Sequence, residues 1–307
     1  ITVQTADTNV TTGSFAFDAS TFVQTQSVTF YDSGLNGANS RKFGAGDDIY
    51  ANDYADPTFN VTVEGNGGAD TIALSTNTTI AAAERREFVQ FNTGNDGSLV
   101  PGASTGGDLI INFTASAYNA DGTAVASVDD DRVLIAGNNG TGQATGLLFD
   151  LTQAQSGTAL LFGSLNKQLV LGGQDTANVT NLAQNMLFLT GPAKSLTDDQ
   201  LRSASAIAAA INNVGVVGNG LPFGTDLDPG SGEDLIAQQS NQALIVQQGQ
   251  TDTALWLYVE RDFDFNTAKA YTATTSELTQ IAIFDNALLS YGDFTTDAGT
   301  AVDMTTF

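Results

Sequence analysis

The sequence predicts a mainly β fold, with sandwich-like or solenoid-like sheets, Gly/Asp calcium loops, and one inserted α-helix at about 195–213. Three observations lead there. Short alternations of apolar and polar residues recur along the chain, set apart by turn residues at roughly 10–20-residue intervals. Two Gly-rich segments each run through aspartate into a short apolar stretch. A single segment carries apolar residues at the helical period behind good capping residues.

The strand-like stretches are Ser14–Phe17, Phe22–Phe30, Thr58–Glu64, Glu87–Asn92, Leu109–Ala117, Arg132–Ala136, Leu147–Leu151, Ala159–Phe162, Gln168–Leu171 and Met186–Leu189. The chain also opens on a strand-like alternation, and 32–56 reads as a Gly/Asn/Asp loop. In the helical segment, Ser195 or Thr197 can cap, and Asp198, Asp199 and Gln200 suit a first turn. Leu201, Ala204, Ala208 and Ile211 then follow one face, and Gly215 offers a stop. Asn219–Gly232 reads as a linker, and a second β unit follows at Ala243–Gln247, Ala254–Val259, Ala270–Ala273 and Leu278–Phe284. The expected organisation is a β-rich domain over 1–192, helix plus linker over 193–232, and a C-terminal β module over 233–307.

Composition narrows the chemistry. Asp and Glu number 34 against 10 Lys and Arg, for a net charge of −24. Such a chain repels itself unless cations or salt offset the excess. It has no basic patch for nucleic acid. There is neither cysteine nor histidine, so disulfides are impossible and thiolate or imidazole metal sites are excluded. Oxygen ligands remain, and these suit hard cations such as Ca²⁺. The longest apolar-leaning run, Ile207–Val217, is interrupted by Asn212 and Asn213, so no transmembrane segment is expected. No signal peptide opens the chain, which leaves Ile1 as a processed or truncated start, or the export signal elsewhere.

The metal candidates follow from two segments, Phe43–Ala51 (FGAGDDIYA) and Gly65–Ala73 (GNGGADTIA). Both approximate a nonapeptide G-G-x-G-x-D-x-U-x, in which glycines allow tight turns, turn carbonyls and one carboxylate converge on Ca²⁺, and the apolar residue packs inward. The candidate ligands are Asp48 and Asp70, with Asp47 beside them, in turns built by Gly44, Gly46, Gly65 and Gly67. Tyr50 and Ile72 are the inward residues. The two segments lie 22 residues apart, not a multiple of nine, so isolated loops are expected and not adjacent coils. The competing reading is an ordinary Gly/Asp hairpin turn. A second candidate is Asp262-Phe263-Asp264-Phe265-Asn266, with Asp262, Asp264 and Asn266 as ligands. Thr267 and Ala273 stand where an EF-hand needs Gly and Glu, so a complete EF-hand is excluded. Gly102-Ala103-Ser104-Thr105-Gly106 fits G-x-S-x-G, but a chain without histidine has no base for such a serine.

The two nonapeptide-like loops resemble those of RTX (haemolysin-type calcium-binding) proteins, which leave the cell by type I secretion. Residues 244–294 resemble the C-terminal part of bacterial S-layer proteins and large adhesins of that type, in the strand Ala254–Val259, the loop Asp262–Asn266, the strand Leu278–Phe284 and the pair Asp293-Phe294. The resemblance implies Ca²⁺ as cofactor, folding driven by calcium outside the cell, and an acidic tail at Thr295–Phe307 serving as secretion signal. The function it implies is a calcium-binding structural protein of the cell surface (an S-layer, filament or matrix subunit) that assembles with copies of itself. The alternative is a calcium-dependent adhesin or carbohydrate-binding module that meets cell-surface glycans. Catalysis is not expected.

Overall fold

The computed structural model describes residues 1–5, 15–32, 39–52, 61–76, 87–91, 106–115, 131–135, 186–189, 196–212, 242–259, 273–289 and 293–295. These residues are mainly β. In chain order, the first ten strands alternate between two sheets. Odd-numbered strands β1 (Thr2–Gln4), β3 (Thr29–Asp32), β5 (Ile49–Asn52), β7 (Thr71–Ala73) and β9 (Asp108–Ile111) build the larger sheet. Even-numbered strands β2 (Phe15–Asp18), β4 (Asn39–Lys42), β6 (Val61–Glu64), β8 (Glu87–Phe91) and β10 (Arg132–Ile135) build the smaller one. Within each sheet every strand of this region pairs in parallel with the strand two places on. The chain therefore winds, laying one strand in each sheet per turn.

Strands this short gain nothing alone, so their stability comes from stacking and from the core between the sheets. Because side chains alternate along a strand, Phe30, Tyr50, Ile72 and Ile110 form the inward row of the larger sheet, and all four are buried. Val63, Val89 and Val133 face them from the smaller sheet.

 The fourth place in that valine row is Arg41 on β4. It is fully buried, and its Nε donates to Asp32 at 2.9 Å, with Nη2 reaching the same carboxylate oxygen. Its guanidinium lies 5.2 Å from the centre of the Phe30 ring. The aromatic side chains of Phe17, Phe30, Phe43 and Tyr50 fill the space around this pair.

Four further strands extend the larger sheet: β11 (Met186–Leu189), β12 (Gln242–Gln248), β13 (Thr253–Val259) and β14 (Leu278–Phe284). Here β12, β13 and β14 pair antiparallel, while β14 joins β9 in parallel. A last strand, β15 (Phe294–Thr295), joins β10 of the smaller sheet, and Asp293 lies 4.0 Å from the buried Arg132. The C-terminal β unit thus adds three strands to the larger sheet and one to the smaller, so both sheets run across the 193–232 boundary.

The helix α1 (Ala204–Asn212) is shorter than the 195–213 expectation. A separate short 3-10 turn, Gln200–Arg202, precedes it, and Ser203 between them is extended. The acids do not fill a first helical turn because Asp198 is used elsewhere. Its carboxylate accepts from the backbone N–H groups of Gln250, Thr251 and Asp252 and from Thr251 Oγ1. Burial raises the Asp198 pKa, and these donors together outweigh it, leaving the group below its ordinary value. Leu201, Ile207 and Ile211 pack with Trp256, Tyr258 and Ile283 in a second core on the outer side of the sheet.

Three expectations are corrected. Phe22–Phe30 is not one strand, because the chain turns at 19–27 through Phe22 N–H to Ala19 O and Gln26 N–H to Val23 O. The 32–56 loop contains β4 and β5, and Arg41 makes β4 unreadable as an apolar strand. Segments Phe43–Ala51 and Gly65–Ala73 are not isolated loops: Tyr50 faces Ile72 in parallel strands of one sheet. Strands expected within 147–171, and the linker at Asn219–Gly232, lie outside the described residues. Ala273 is described but not in a strand. Among the described residues, no helix is long and apolar enough to cross a membrane.

Candidate metal centre

The site lies at the corner where the chain passes from the smaller sheet into the larger. Register fixes its composition. Thr29 faces Ile49, Ile49 faces Thr71, and Thr71 faces Leu109. The residues just before them, Val28, Asp48, Asp70 and Asp108, therefore form one column. Each acid in it reaches back one turn of the chain. Asp48 Oδ1 accepts from Val28 N–H, Asp70 Oδ1 from Asp48 N–H at 2.7 Å, and Asp108 Oδ1 from Asp70 N–H at 3.0 Å. All three side chains are buried.

A second column runs two residues earlier, through Gln26, Gly46, Gly68 and Gly106. Backbone there packs on backbone. A Cβ at Gly46 would overlap Gln26 O, and one at Gly68 would lie 2.6 Å from Gly46 O. Gly68 and Gly106 also have positive φ, at 128° and 112°, which glycine tolerates and other residues resist. Asn66, at φ 64°, ties adjacent turns by donating from Nδ2 to Phe43 O at 2.7 Å.

The second carboxylate oxygens separate the acids. Asp48 Oδ2 accepts from Gly44 N–H at 3.1 Å, so both of its oxygens are bonded to backbone donors. Asp70 Oδ2 is buried with no hydrogen-bond partner. It faces Gly65, where a Cβ would overlap it and would also lie 3.2 Å from Asp108 Oδ2. The two carboxylates thus converge on one spot that only a glycine leaves open. Burial first, and then the Asp108 charge, push the Asp70 pKa up to about 10, against the lowering effect of the Asp48 N–H. The Asp48 pKa is also raised, by burial, with the Val28 and Gly44 donors opposing it.

Buried like charges this close need a proton or a cation between them. The donor set fits a hard cation: two carboxylate oxygens from a chain rich in turn carbonyls, with no sulfur or imidazole. Among the described residues, no group of three or more acids is gathered closely enough to hold a metal through side chains alone. Any cation here would need backbone oxygens as well.

The predicted residues therefore divide. Gly44, Gly46, Gly65 and Gly67 are buried at the corner, and Asp48 and Asp70 are brought into one column there. Asp47 is exposed and accepts from Ala69 N–H at 3.0 Å, bridging the two turns. Asp262, Asp264 and Asn266 lie outside the described residues. Sequence reasoning missed Asp108. The signal was available in the shorter pattern G-x-D-x-U, which occurs as Gly46-Asp47-Asp48-Ile49-Tyr50, Gly68-Ala69-Asp70-Thr71-Ile72 and Gly106-Gly107-Asp108-Leu109-Ile110. Tyr50, Ile72 and Ile110 all face inward as the U residue.

No protein-family model matches the chain, and no curated protein and no solved structure is significantly similar to it.

Proposed function

We propose that this chain is an exported, calcium-stabilised β-solenoid protein of the cell surface, a structural subunit that assembles with copies of itself. The observation that carries this reading is the unpartnered, buried Asp70 Oδ2 beside Asp108 Oδ2 at Gly65. In a chain of net charge −24, burying two carboxylates together makes physical sense where a divalent cation sits with them. Asp70 and Asp108 would hold the ion with neighbouring turn carbonyls. The ion would supply charge neutralisation and would tie successive turns of the chain together. Binding energy of this kind adds to folding energy, which suits a chain that folds where calcium is abundant. The resemblance of the glycine turns to RTX loops supports the same assignment, and with it export and a surface location.

Asp70→Asn tests the reading. An asparagine can donate to Asp108 as a protonated Asp70 would, but it carries no charge for a cation. The expected result is one bound calcium ion fewer by calorimetric titration, and a smaller rise in melting temperature when calcium is added. An unchanged ion count, with equal stability in calcium and in chelator, would instead mean that a proton occupies the pair.

A further inference from the structure

The two sheets present different outer faces. On the smaller sheet, the outward positions include Asp18, Lys42, Glu64 and Arg132, and Lys42 Nζ lies 3.0 Å from Glu64. On the larger sheet, no outward residue of β1, β3, β5, β7 or β9 is charged. Tyr31 and Ile49 stand 44% and 43% exposed in the middle of that face. Ala51, Ala73 and Ile111 continue it, and Leu109 links it to the second core. On the next three strands of the same sheet, similar outward residues (Ile283, Trp256, Ile245) are covered by the helix α1 and its preceding turn.

We propose that this uncharged face is where one copy of the chain meets another. The inference rests on the self-assembly part of the reading above, and is independent of which ion fills the metal site. Charge selects the occupant. Two copies each carrying −24 repel wherever acids face each other, so their contact requires a surface free of them. A basic partner would be drawn to the acids and not to this face. Geometry agrees, because side-chain rows here repeat at the strand spacing of about 4.8 Å, and the same face of a second copy repeats identically. Size sets the strength. Five strands span on the order of 20 Å and each runs roughly 12 Å, a patch of about 250 Å², well short of the roughly 800 Å² per partner of a stable pair. The contact is therefore weak alone and gains from repetition in an array.

The test is sedimentation velocity at rising protein concentration in saturating calcium, with bound ions counted on the same samples. The wild type is expected to self-associate. Tyr31→Glu and Ala73→Glu should each abolish association, whereas Ser40→Glu, on the outer face of the other sheet, should leave it intact. Melting curves identify any variant that fails to fold, and the two face variants back each other up. A wild type that stays monomeric while binding calcium overturns the interface and leaves the metal site standing. Association that survives both face variants, or is lost equally in Ser40→Glu, also overturns it. Association that follows the face variants without bound calcium supports the interface and removes the metal site.

Discussion

At the corner entering the larger sheet, Asp70 is buried with one oxygen bonded and the other turned towards Asp108. At the opposite corner, where the chain enters the smaller sheet, Glu87 and Asp131 are as deeply buried. There every carboxylate oxygen has a donor. Glu87 accepts from Asn52 Nδ2 at 2.6 Å and from Ser75 N–H at 2.8 Å. Asp131 accepts from the N–H groups of Glu87 at 3.2 Å and Thr114 at 2.8 Å. Residue type and burial are alike at the two corners, but the supply of donors is not. A buried acid therefore marks a cation site only when its hydrogen-bond accounting leaves an oxygen over.

The comparison breaks most visibly at Glu87. Replacing Glu87 with Ala strands the Ser75 and Asn52 donors, each worth roughly 1.5–3 kcal/mol when bonded to a charged group. A loss of about 4 kcal/mol is expected by chemical denaturation, equal in calcium and in chelator. A loss that appears only in calcium would erase the distinction between the corners.

Next in size is the response of the calcium-free protein to pH. The Asp70 pKa of about 10 in the folded chain stands above the roughly 3.9 of an unfolded aspartate. The folded form holds this proton more tightly, so the stabilisation is complete below about pH 4 and is lost as pH rises towards 10. In chelator, stability should fall between pH 5 and pH 7 by up to about 1.4 kcal/mol per pH unit. If calcium fills the site as proposed, it should reverse the slope, because the charged form is the one that would bind it. A flat profile in chelator would show that no proton is held at the pair.

The smallest effect sharpens the contrast within the aspartate column. Asp48→Asn keeps one acceptor for the Val28 and Gly44 donors and loses the other. A cost of about 1 kcal/mol is expected, with the number of bound calcium ions unchanged by titration. A lost ion would make Asp48 a ligand after all.

Much of the fold was legible as strands. Met186–Leu189 and Leu278–Phe284 are legible with their observed limits, because the first is a continuous apolar run and the second ends in one, Ile281–Phe284. The winding was not legible. The distance of 22 residues between the two glycine segments was judged against a nine-residue repeat, whereas stacking requires only that the spacing equal one full turn of this chain. Those turns span 20, 22 and 38 residues between Val28, Asp48, Asp70 and Asp108, so no fixed period exists to be found. Asp70 and its glycines were readable from local chemistry. Asp108 escapes the nine-residue pattern and is found only with the shorter G-x-D-x-U core that its turn shares with the other two. Arg41 hid β4 for a related reason: its partner Asp32 lies on another strand, and no local pattern announces the pair.

The strands β14 and β15 meet β9 and β10 only after a very long excursion of the chain. Until residues 278–295 arrive, the wound part ends in two open edges, each a template for mispairing. Closing so distant a contact costs entropy and delays the barrier crossing. Assembly of this polypeptide is thus committed late, by residues 278–295, and a nascent or truncated form lacking them would be the species most prone to aggregate.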